Sequence, residues 1–387
     1  MTIPGVGSTQ SIMGNANVAP SMTVGARLVQ PVAPTRTASR SRLRTAAWAA
    51  SAAFAVAALG IGWDLYARPP LVEVFSTPTR FSRRTEEFTV NVCGITSRAM
   101  KYARRRLRFR ANQGAWRDIH QDYVSSHSRH FRIELPASAL VAGDNQIEIE
   151  AEAIALRPQR LVLPFHYDPQ PLRLPIRVAW ERPDVEVEDG AWHSFDAGGE
   201  RRVRPTPGHE GYDRILIVAG AFAGGRRVRT DVTFRHAVQG RPYGFGVIPM
   251  WGGRPDDVGV VPRRGWNLGL VWWWDRYEGF GAEFSYKRGP QSPGWVNSYR
   301  DLALEAGRRY RIVAEAWPVS DALGKHSHHV LRAKWWPDGT PEPSGWLQTS
   351  DTEGSPLPKG DYGVGLMAFW SQVEFGPILI EPIPGSG

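Results

Sequence analysis

The sequence predicts an all-β protein in which two consecutive β-sandwiches follow one apolar helix near the N-terminus. Three observations lead to this prediction. From about residue 70 onward, short stretches alternate polar and apolar residues, as half-buried strands do. Glycine, proline and asparagine separate these stretches, and no helical periodicity is sustained there. Before that region, residues 45–63 contain no charged side chain.

The composition is compatible with two or three globular domains. The chain has 387 residues, of which 42% are hydrophobic and 22% charged. The single cysteine, Cys93, excludes an intramolecular disulfide framework and a multi-cysteine zinc site. The net charge is +9, and residues 1–45 supply five arginines and no acidic residue, so subtracting those five leaves +4 for the remainder. We therefore expect no nucleic-acid partner.

The apolar run predicts a membrane anchor. It holds 19 residues, and at 1.5 Å rise per residue a helix of that length roughly matches a ~30 Å hydrocarbon core. Because arginines precede the run, the positive-inside rule places the N-terminus in the cytoplasm. We predict a disordered cytoplasmic tail over residues 1–43, a transmembrane signal anchor over 44–66, and a periplasmic or extracellular region over 64–387. A cleaved signal peptide and a buried soluble helix are the alternatives.

The first exported module is predicted over residues 67–180. Five alternating stretches mark its strands: Glu87–Val92, Arg106–Arg110, Phe131–Leu135, Gln146–Glu150 and Arg173–Trp180. About seven short strands in about 110 residues is the size of an immunoglobulin-like sandwich. The basic run Lys101–Arg110 fits either a patch for an anionic polymer or a solvated strand face.

A motif string in this module resembles bacterial immunoglobulin-like or cadherin-like accessory modules. Residues 108–116 end on Asn112-Gln113-Gly114-Ala115-Trp116, and a turn Leu140 to Gly143-Asp144-Asn145 follows the strand at 131–135. The accessory modules likewise follow a strand containing Asn, Gly and Trp with a turn of the form L-x-x-G-x-N. The resemblance implies a spacer or interaction module without enzymatic activity.

The second module, predicted over residues 181–387, has longer strands that are rich in aromatic residues. Twelve of the 16 tryptophans lie after residue 190. The predicted strands are Arg229–His236, Tyr243–Met250, Gly265–Trp274, Ala282–Lys287, Arg309–Trp317, His328–Trp336, Gly363–Trp370 and Val373–Ile380. An antiparallel jelly-roll sandwich fits this pattern over about 200 residues.

The C-terminal motifs resemble the concanavalin A-like lectin/glucanase superfamily, in particular the laminin-G-like jelly rolls of bacterial surface proteins. The motifs are Gly307-x-x-Tyr310-Arg311, the hairpin Lys334 to Trp346, Gly363-Val364-Gly365-Leu366, and Val373-Glu374-Phe375. The resemblance covers residues 300–380 and, more loosely, 211–300. It implies a concanavalin A-like jelly roll, whereas function must be argued from the site. Gly376 stands where the superfamily has an Asp in its last strand, so any support that this Asp gives a cation or a loop is in doubt here.

The tryptophans suggest a carbohydrate-binding surface, because sugars present C–H faces that stack on aromatic rings. Trp251, Trp295 and Trp346 are predicted in loops, and Trp251 beside Gly252-Gly253 looks hard to bury. Trp266, Trp272 and Trp274 share strand parity and form either a binding face or core packing. The carbohydrate-binding candidates are Trp251, Trp266, Trp272, Trp274, Trp295, Trp346, His236 and Arg254.

No catalytic signature is complete. Retaining glucanases of this superfamily need two carboxylates about 5–5.5 Å apart, and no segment carries that pattern. Asp256 and Asp257 are weak calcium candidates in a Gly/Pro-rich loop. His326, His328 and His329 are predicted to lie on a solvated hairpin, because residues of alternating parity point apart.

We therefore expect a membrane-anchored, non-catalytic glycan-binding or envelope-associated protein. Its expected partners are a polysaccharide or cell-envelope glycan, and the membrane through residues 45–63. It needs no cofactor, although calcium is possible. A polysaccharide hydrolase or lyase with an unrecognised site and a structural protein-docking ectodomain are the alternatives.

Overall fold

The structure is a computed structural model, and the chain divides into two compact units, Met1–Ala67 and Arg68–Gly387. The described residues are 51, 70–75, 80–82, 90–97, 100, 105–119, 130–135, 137–153, 157–180, 185–212, 214–218, 220–253, 268–275, 279–285, 295–300, 304–352, 357 and 360–384. Within these ranges, no helix has the length and hydrophobicity to span a bilayer. The anchor predicted over 44–66 falls, apart from Ser51, outside them and stays a prediction.

The N-terminal half of the second unit is built from short antiparallel strands and one parallel pair. Its strands are β1 (Val72–Val74), β2 (Arg80–Ser82), β3 (Val90–Thr96), β4 (Arg105–Ala111), β5 (Arg117–Asp118), β6 (His130–Leu135), β7 (Gly143–Ala153) and β8 (Gln159–Asp168). In the described part they form a three-stranded sheet, β1-β3-β6, and a five-stranded sheet, β2-β8-β7-β4-β5. The strands predicted around residues 108, 133 and 148 are confirmed.

Both small sheets contribute to one hydrophobic core, which makes the first module a two-sheet sandwich. Phe131 and Ile133 of β6 contact this core from one sheet, and Ile147 and Ile149 of β7 contact it from the other. The alternate residues of β4 and β7 point outward and are polar, as the period-two pattern predicts. The immunoglobulin-like topology stays a prediction.

The second module contains most of the strands. They are β9 (Ile176–Val178), β10 (Val185–Asp189), β11 (Trp192–Ala197), β12 (Glu200–Pro205), β13 (Arg214–Val218), β14 (Arg226–Ala237), β15 (Gly244–Gly253), β16 (Leu268–Asp275), β17 (Gly279–Ser285), β18 (Trp295–Arg300), β19 (Arg309–Ser320), β20 (His326–Pro337), β21 (Gln348–Asp351), β22 (Gly363–Phe369), β23 (Ser371–Phe375) and β24 (Ile378–Pro382). The stretch predicted to close the first module supplies β9, which pairs with β24.

Two large antiparallel sheets face each other across the main core. Among the described strands, one sheet has the order β10-β13-β22-β15-β16-β17-β18, and the other runs β11-β12-β23-β14-β19-β20-β21, with β24 and β9 attached to β14. Phe245 and Trp272 enter the core from the first sheet, and Tyr310 and Trp335 enter it from the second. The prediction of an all-β sandwich fold is confirmed at this level.

The seven-stranded sheet is apolar on its other face as well. A second cluster of buried side chains lies there: Ile215, Ile217, Ile248, Trp251, Val271, Trp273 and Met367. On β13, β16 and β22 these residues have the opposite strand parity to those in the main core, and on β15 the register shifts change the parity along the strand. This sheet is therefore apolar on both faces, whereas the nine-stranded sheet carries charged residues on its outward face.

A buried ion bridge joins the two modules. Asp189 of β10 accepts a hydrogen bond from Arg214 Nη1 at 2.7 Å and another from Arg132 Nη2 of the first module at 2.9 Å. All three side chains are at most 10% exposed. Removing one member of such a buried bridge leaves an uncompensated charge, so the bridge ties the relative position of the two modules to folding.

Gly376 has a packing reason in this chain. A Cβ at this position would overlap the carboxylate of Asp231, which arrives from the neighbouring strand β14. Asp231 is buried and lies 2.7 Å from Arg202 Nη1. The Gly376 carbonyl accepts hydrogen bonds from Trp180 Nε1 at 2.7 Å and from Thr230 Oγ1 at 3.2 Å. Here the carboxylate next to position 376 comes from Asp231.

Candidate functional site

The outward face of the nine-stranded sheet carries rows of charged side chains on its central strands. Arg227 of β14, Glu315 of β19 and Arg332 of β20 stand opposite one another in register. Glu315 accepts a hydrogen bond from Arg227 Nε at 2.5 Å and another from Arg332 Nε at 2.6 Å. The Glu315 side chain is fully buried, whereas each arginine side chain is 32% exposed. One carboxylate therefore holds two cations at the surface in fixed positions.

The loop between β20 and β21 folds back over this row. Trp346 places its ring centre 4.2 Å from the Arg332 guanidinium and 4.8 Å from Lys334 Nζ. Arg332 also lies 5.1 Å from the ring centre of Trp317 on β19. Contacts of this kind between a cation and an aromatic face are attractive. We call Trp317, Arg332, Lys334, Glu342 and Trp346 the Trp346 platform.

Glu342 fastens the loop to the sheet. Its Oε1 accepts a hydrogen bond from Lys334 Nζ at 3.1 Å, and its Oε2 accepts one from Arg229 Nη1 at 3.2 Å. Burial acts to raise the pKa of Glu342, but the bond from Lys334 and the charge of Arg229 outweigh it, so the pKa lies below its usual value. Glu342 therefore stays ionised and holds the loop near neutral pH.

The platform combines half-buried aromatic rings with fixed hydrogen-bonding groups, and the pKa of its carboxylate, Glu342, is lowered. A glycosidase acid needs a carboxyl group with a raised pKa. Among the described residues, the carboxylates with a shifted pKa all shift downward: Glu148, Asp168, Asp338 and Glu342. The largest cause is a hydrogen bond from Arg110 for Glu148 and from Arg311 for Asp338.

The structure separates the predicted sugar-binding residues. Trp346 is half-buried on the platform, and His236 is exposed on β14 next to a register shift. Trp295 begins β18, and its side chain is not among those described. Trp266, Arg254, Asp256 and Asp257 lie outside the described residues. No group of three or more potential metal ligands occurs in the described ranges, and calcium binding at 256–257 stays a prediction.

Three tryptophans are not at an open surface. The placement of Trp251 in a loop is wrong, because β15 continues through Gly253 and Trp251 is fully buried in the outer cluster of the seven-stranded sheet. Trp272 and Trp274 lie in the main core. Of the two alternatives predicted for Trp272 and Trp274, core packing is confirmed and a binding face is not.

The histidine hairpin also differs from the prediction. A register shift between Val319 and Ser320 on the partner strand brings the rings of His326 and His329 to 4.5 Å. His329 is buried, and its Nδ1 has no hydrogen-bond partner among the described residues. Burial, together with the nearby His326 and Arg226, lowers the pKa of His329 to about 3. The predicted solvated position is therefore wrong for His329.

Sequence reasoning missed Trp317 and Arg332 as partners of Trp346. Strand parity could have indicated these partners. It places residues 315 and 317 of β19 on the outward face, together with residues 332 and 334 of β20. The cross-strand register that aligns Glu315 with Arg332 is set by the hairpin between β19 and β20, and the strand pattern alone does not fix that register.

No family model matches the chain, and no curated protein matches it. Among solved structures it is similar to the carbohydrate-binding module CBM66 from Bacillus subtilis, with 8% identity, a TM-score of 0.33, and coverage of 51% of this chain and 95% of that one. It is also similar to the VIP36 exoplasmic/lumenal domain in a Ca²⁺/Man3GlcNAc-bound form, with 10% identity, a TM-score of 0.33, and coverage of 53% of this chain and 86% of that one. The potassium-bound carbohydrate recognition domain of Emp46p is similar with 12% identity, a TM-score of 0.32, and coverage of 52% of this chain and 89% of that one. At such values the likeness assigns this chain neither a site nor a ligand.

Proposed function

We propose that this chain is an exported, membrane-anchored glycan-binding protein and that the Trp346 platform is its sugar-binding surface. The observation that carries the proposal is the position of Trp346 over Arg332 and Lys334. These two residues are neighbours on the same face of β20, so both cations lie on the sheet side of the ring. In this proposal the opposite ring face contacts the C–H face of a sugar.

The groups around the ring suit hydroxyl recognition. Arg332 uses its Nε on Glu315, and the rest of its guanidinium lies beside two aromatic rings. Lys334 gives two hydrogen bonds, to Glu342 and to the Pro343 carbonyl at 2.8 Å, and an ammonium has three donors. A few fixed polar groups around an apolar platform are the usual composition of a sugar site.

Export and anchoring rest on the sequence. The uncharged run at 45–63 with arginines before it supports an N-terminus in the cytoplasm and residues 64–387 in the periplasm or outside the cell. Fusing a reporter enzyme that is active only outside the cytoplasm after residue 387 tests this topology. Activity of that fusion supports it, and activity of only a cytoplasmic reporter contradicts it.

Affinity electrophoresis of the full chain through gels that contain neutral or acidic polysaccharides tests the binding proposal. We expect at least one polysaccharide to retard the wild type. We expect Trp346→Ala to weaken that retardation tenfold or more, because the stacking surface is lost while Arg332 and Lys334 remain.

The matched control is Trp370→Ala. Trp370 is also half-buried beside an arginine, 4.9 Å from Arg241, but it lies between β22 and β23, away from the platform. Equal loss in both variants, or no retardation of the wild type, contradicts the proposal. Release of reducing or unsaturated sugar ends during incubation would instead indicate a polysaccharide hydrolase or lyase.

A further inference from the structure

A cleft opens at the end of the five-stranded sheet in the first module, outside the site described above. Its volume is about 740 Å³. It lies between the turn after β4, the start of β7 with the turn before it, and the C-terminal half of β8. The residues that line it are Asn112, Gln113, Val141, Asp144, Asn145, Gln146, Pro164, Phe165 and His166.

A closed amide network fixes the two turns of this cleft. Asn145 is buried, its Nδ2 donates to the carbonyls of Val141 at 2.7 Å and Gly143 at 2.8 Å, and its Oδ1 accepts from Asn112 Nδ2 at 2.7 Å. Asn112 Oδ1 accepts from the Gln146 backbone N at 2.9 Å. Two consecutive non-glycine residues, Asn112 and Gln113, have φ of 48° and 64°. Such φ values persist only where the surroundings hold them, so the cleft is preorganised.

The groups not used in this network remain available to a ligand. The Asp144 side chain is fully exposed and lies 3.2 Å from Nδ1 of His166, which is half exposed. Gln113 is exposed at the rim. Val141 lines the cleft with 58% of its surface exposed, and Pro164 is exposed beside it. The cleft therefore offers a carboxylate, an imidazole and an amide next to a small apolar surface.

An aromatic ring lies on the same sheet face. Trp116 lies 4.6 Å from the Arg108 guanidinium and 4.8 Å from that of Arg110. These arginines are alternate residues of β4 and stand opposite Glu150 and Glu148 of β7, on the face that carries Gln146. Arg110 pairs with Glu148 at 2.9 Å, and Gln146 of the cleft also donates to Glu148 at 3.4 Å. A continuous chain of contacts thus runs from Trp116 to the cleft.

The charges on this face are largely balanced. Arg108 pairs with Glu150, and Glu148 pairs with both Arg110 and Arg160. The cleft itself adds the carboxylate of Asp144, which disfavours an anionic ligand. A carboxylate accepts hydrogen bonds from two hydroxyl groups, and an amide can both donate and accept. These features favour a neutral ligand with several hydroxyl groups.

We propose that this cleft, with Trp116 beside it, is a second binding site that takes a neutral oligosaccharide. The Asp144 carboxylate and the Gln113 amide bind sugar hydroxyls, Val141 and Pro164 contact the ring carbons, and Trp116 stacks on a neighbouring sugar unit. The site lies in the first module and is independent of the Trp346 platform.

Saturation-transfer NMR on the full chain tests the proposal with four neutral probes and one acidic probe. The neutral probes are cellohexaose, maltohexaose, xylohexaose and the hexamer of N-acetylglucosamine, and the acidic probe is hexagalacturonate. We expect transfer to at least one neutral hexamer, and we expect Asp144→Asn and Trp116→Ala each to weaken its binding tenfold or more. Gln113→Gly should weaken it at least threefold, and glycine tolerates φ of 64°, so that variant keeps the turn.

Trp346→Ala is the matched control, because it removes the stacking ring of the other module. Binding of a neutral hexamer that survives Trp346→Ala and is lost in Asp144→Asn supports the cleft. Loss in Trp346→Ala with full binding in Asp144→Asn overturns it and assigns the sugar to the platform. The proposed cleft site is also overturned if no neutral hexamer shows saturation transfer, or if only hexagalacturonate does. This outcome does not depend on which polysaccharide the Trp346 platform binds in affinity electrophoresis.

Discussion

The outward faces of the two modules use the same local arrangement with different supports. On each face a tryptophan from the segment after a strand folds back over two cations at alternate positions of that strand: Trp116 over Arg108 and Arg110, and Trp346 over Arg332 and Lys334. On the first face, Glu150 and Glu148 stand directly opposite Arg108 and Arg110 on β7. A buried carboxylate bridges arginines of two strands on each face: Glu148 bridges Arg110 and Arg160 on the first, and Glu315 bridges Arg227 and Arg332 on the second. The supports differ at the other cation, because Arg108 pairs with Glu150 of the neighbouring strand, whereas Lys334 pairs with Glu342 of the loop itself.

Exposure to water determines which of these ion pairs tolerates disruption. The pair of Arg108 with Glu150 is partly open to water, since these side chains are 19% and 17% exposed. Glu315 is fully buried below its two arginines, so its charge has no access to water. Each face therefore has a buried bridging carboxylate that is costly to remove, whereas the pair of Arg108 with Glu150 is less costly to disrupt. The following predictions test that distinction.

The largest effect is expected from removing the buried carboxylate. Glu315→Gln keeps the size of the side chain but leaves Arg227 and Arg332 without their counter-charge. Loss of one partner from a fully buried pair costs about 3–5 kcal/mol, and because both arginines are partly hydrated we expect about 2–3 kcal/mol here. Glu150→Gln on the first face should cost about 1 kcal/mol or less. Urea denaturation measures both, and equal losses would remove the distinction between the buried bridge and the partly exposed pair.

Acid should destabilise the second module before the first. His329 is buried beside Arg226 and has a pKa of about 3, against about 6.5 when unfolded. A lowered pKa means that the unfolded chain binds a proton that the folded chain does not, so stability is full above pH 6.5 and falls as the pH drops toward 3. The expected slope is up to about 1.4 kcal/mol per pH unit, or about 2 kcal/mol between pH 6.5 and 5.

The His329→Asn variant is the control for this acid effect. It removes the titrating ring, so stability measured by urea denaturation from pH 7 to 5 should lose this slope. Carboxylates with lowered pKa, such as Glu148 and Asp338, contribute only at lower pH, because their unfolded values lie near 4. An unchanged slope in His329→Asn would show that another group governs acid sensitivity.

Strand parity predicted more of this protein than turn signals did. It grouped Trp272 and Trp274 on one face, and that face is the core. It failed where a strand slips by one residue. The glycines after Trp251 look like a loop, but β15 continues through them with two register shifts, and the ring is buried. A similar irregularity brings His326 and His329 together. Local sequence does not encode such bulges strongly, because they depend on the partner strand.

The candidate site was predictable only in part. Trp346 follows from its place in a Gly- and Pro-rich hairpin, but Arg332 and Trp317 become its neighbours through cross-strand register. The surroundings of Gly376 were likewise not predictable from the local sequence. Its departure from the superfamily motif put a supporting carboxylate in doubt, yet Asp231, 145 residues earlier in the sequence, fills the adjacent space.

The smallest effect is expected when the second platform is made like the first. Lys334→Arg gives β20 the same pair of arginines beneath Trp346 that β4 has beneath Trp116. A guanidinium keeps the charge, stacks on an indole ring and can still reach the carboxylate of Glu342. We expect the unfolding free energy measured in urea to change by no more than about 0.5 kcal/mol and polysaccharide retardation to stay within twofold of the wild type.

A tenfold loss of retardation would mean that the compact ammonium positions the loop through its bonds to Glu342 and the Pro343 carbonyl, in a way that an arginine does not reproduce. The two platforms would then share an appearance without sharing a mechanism, and sugar binding at one would give no reason to expect it at the other.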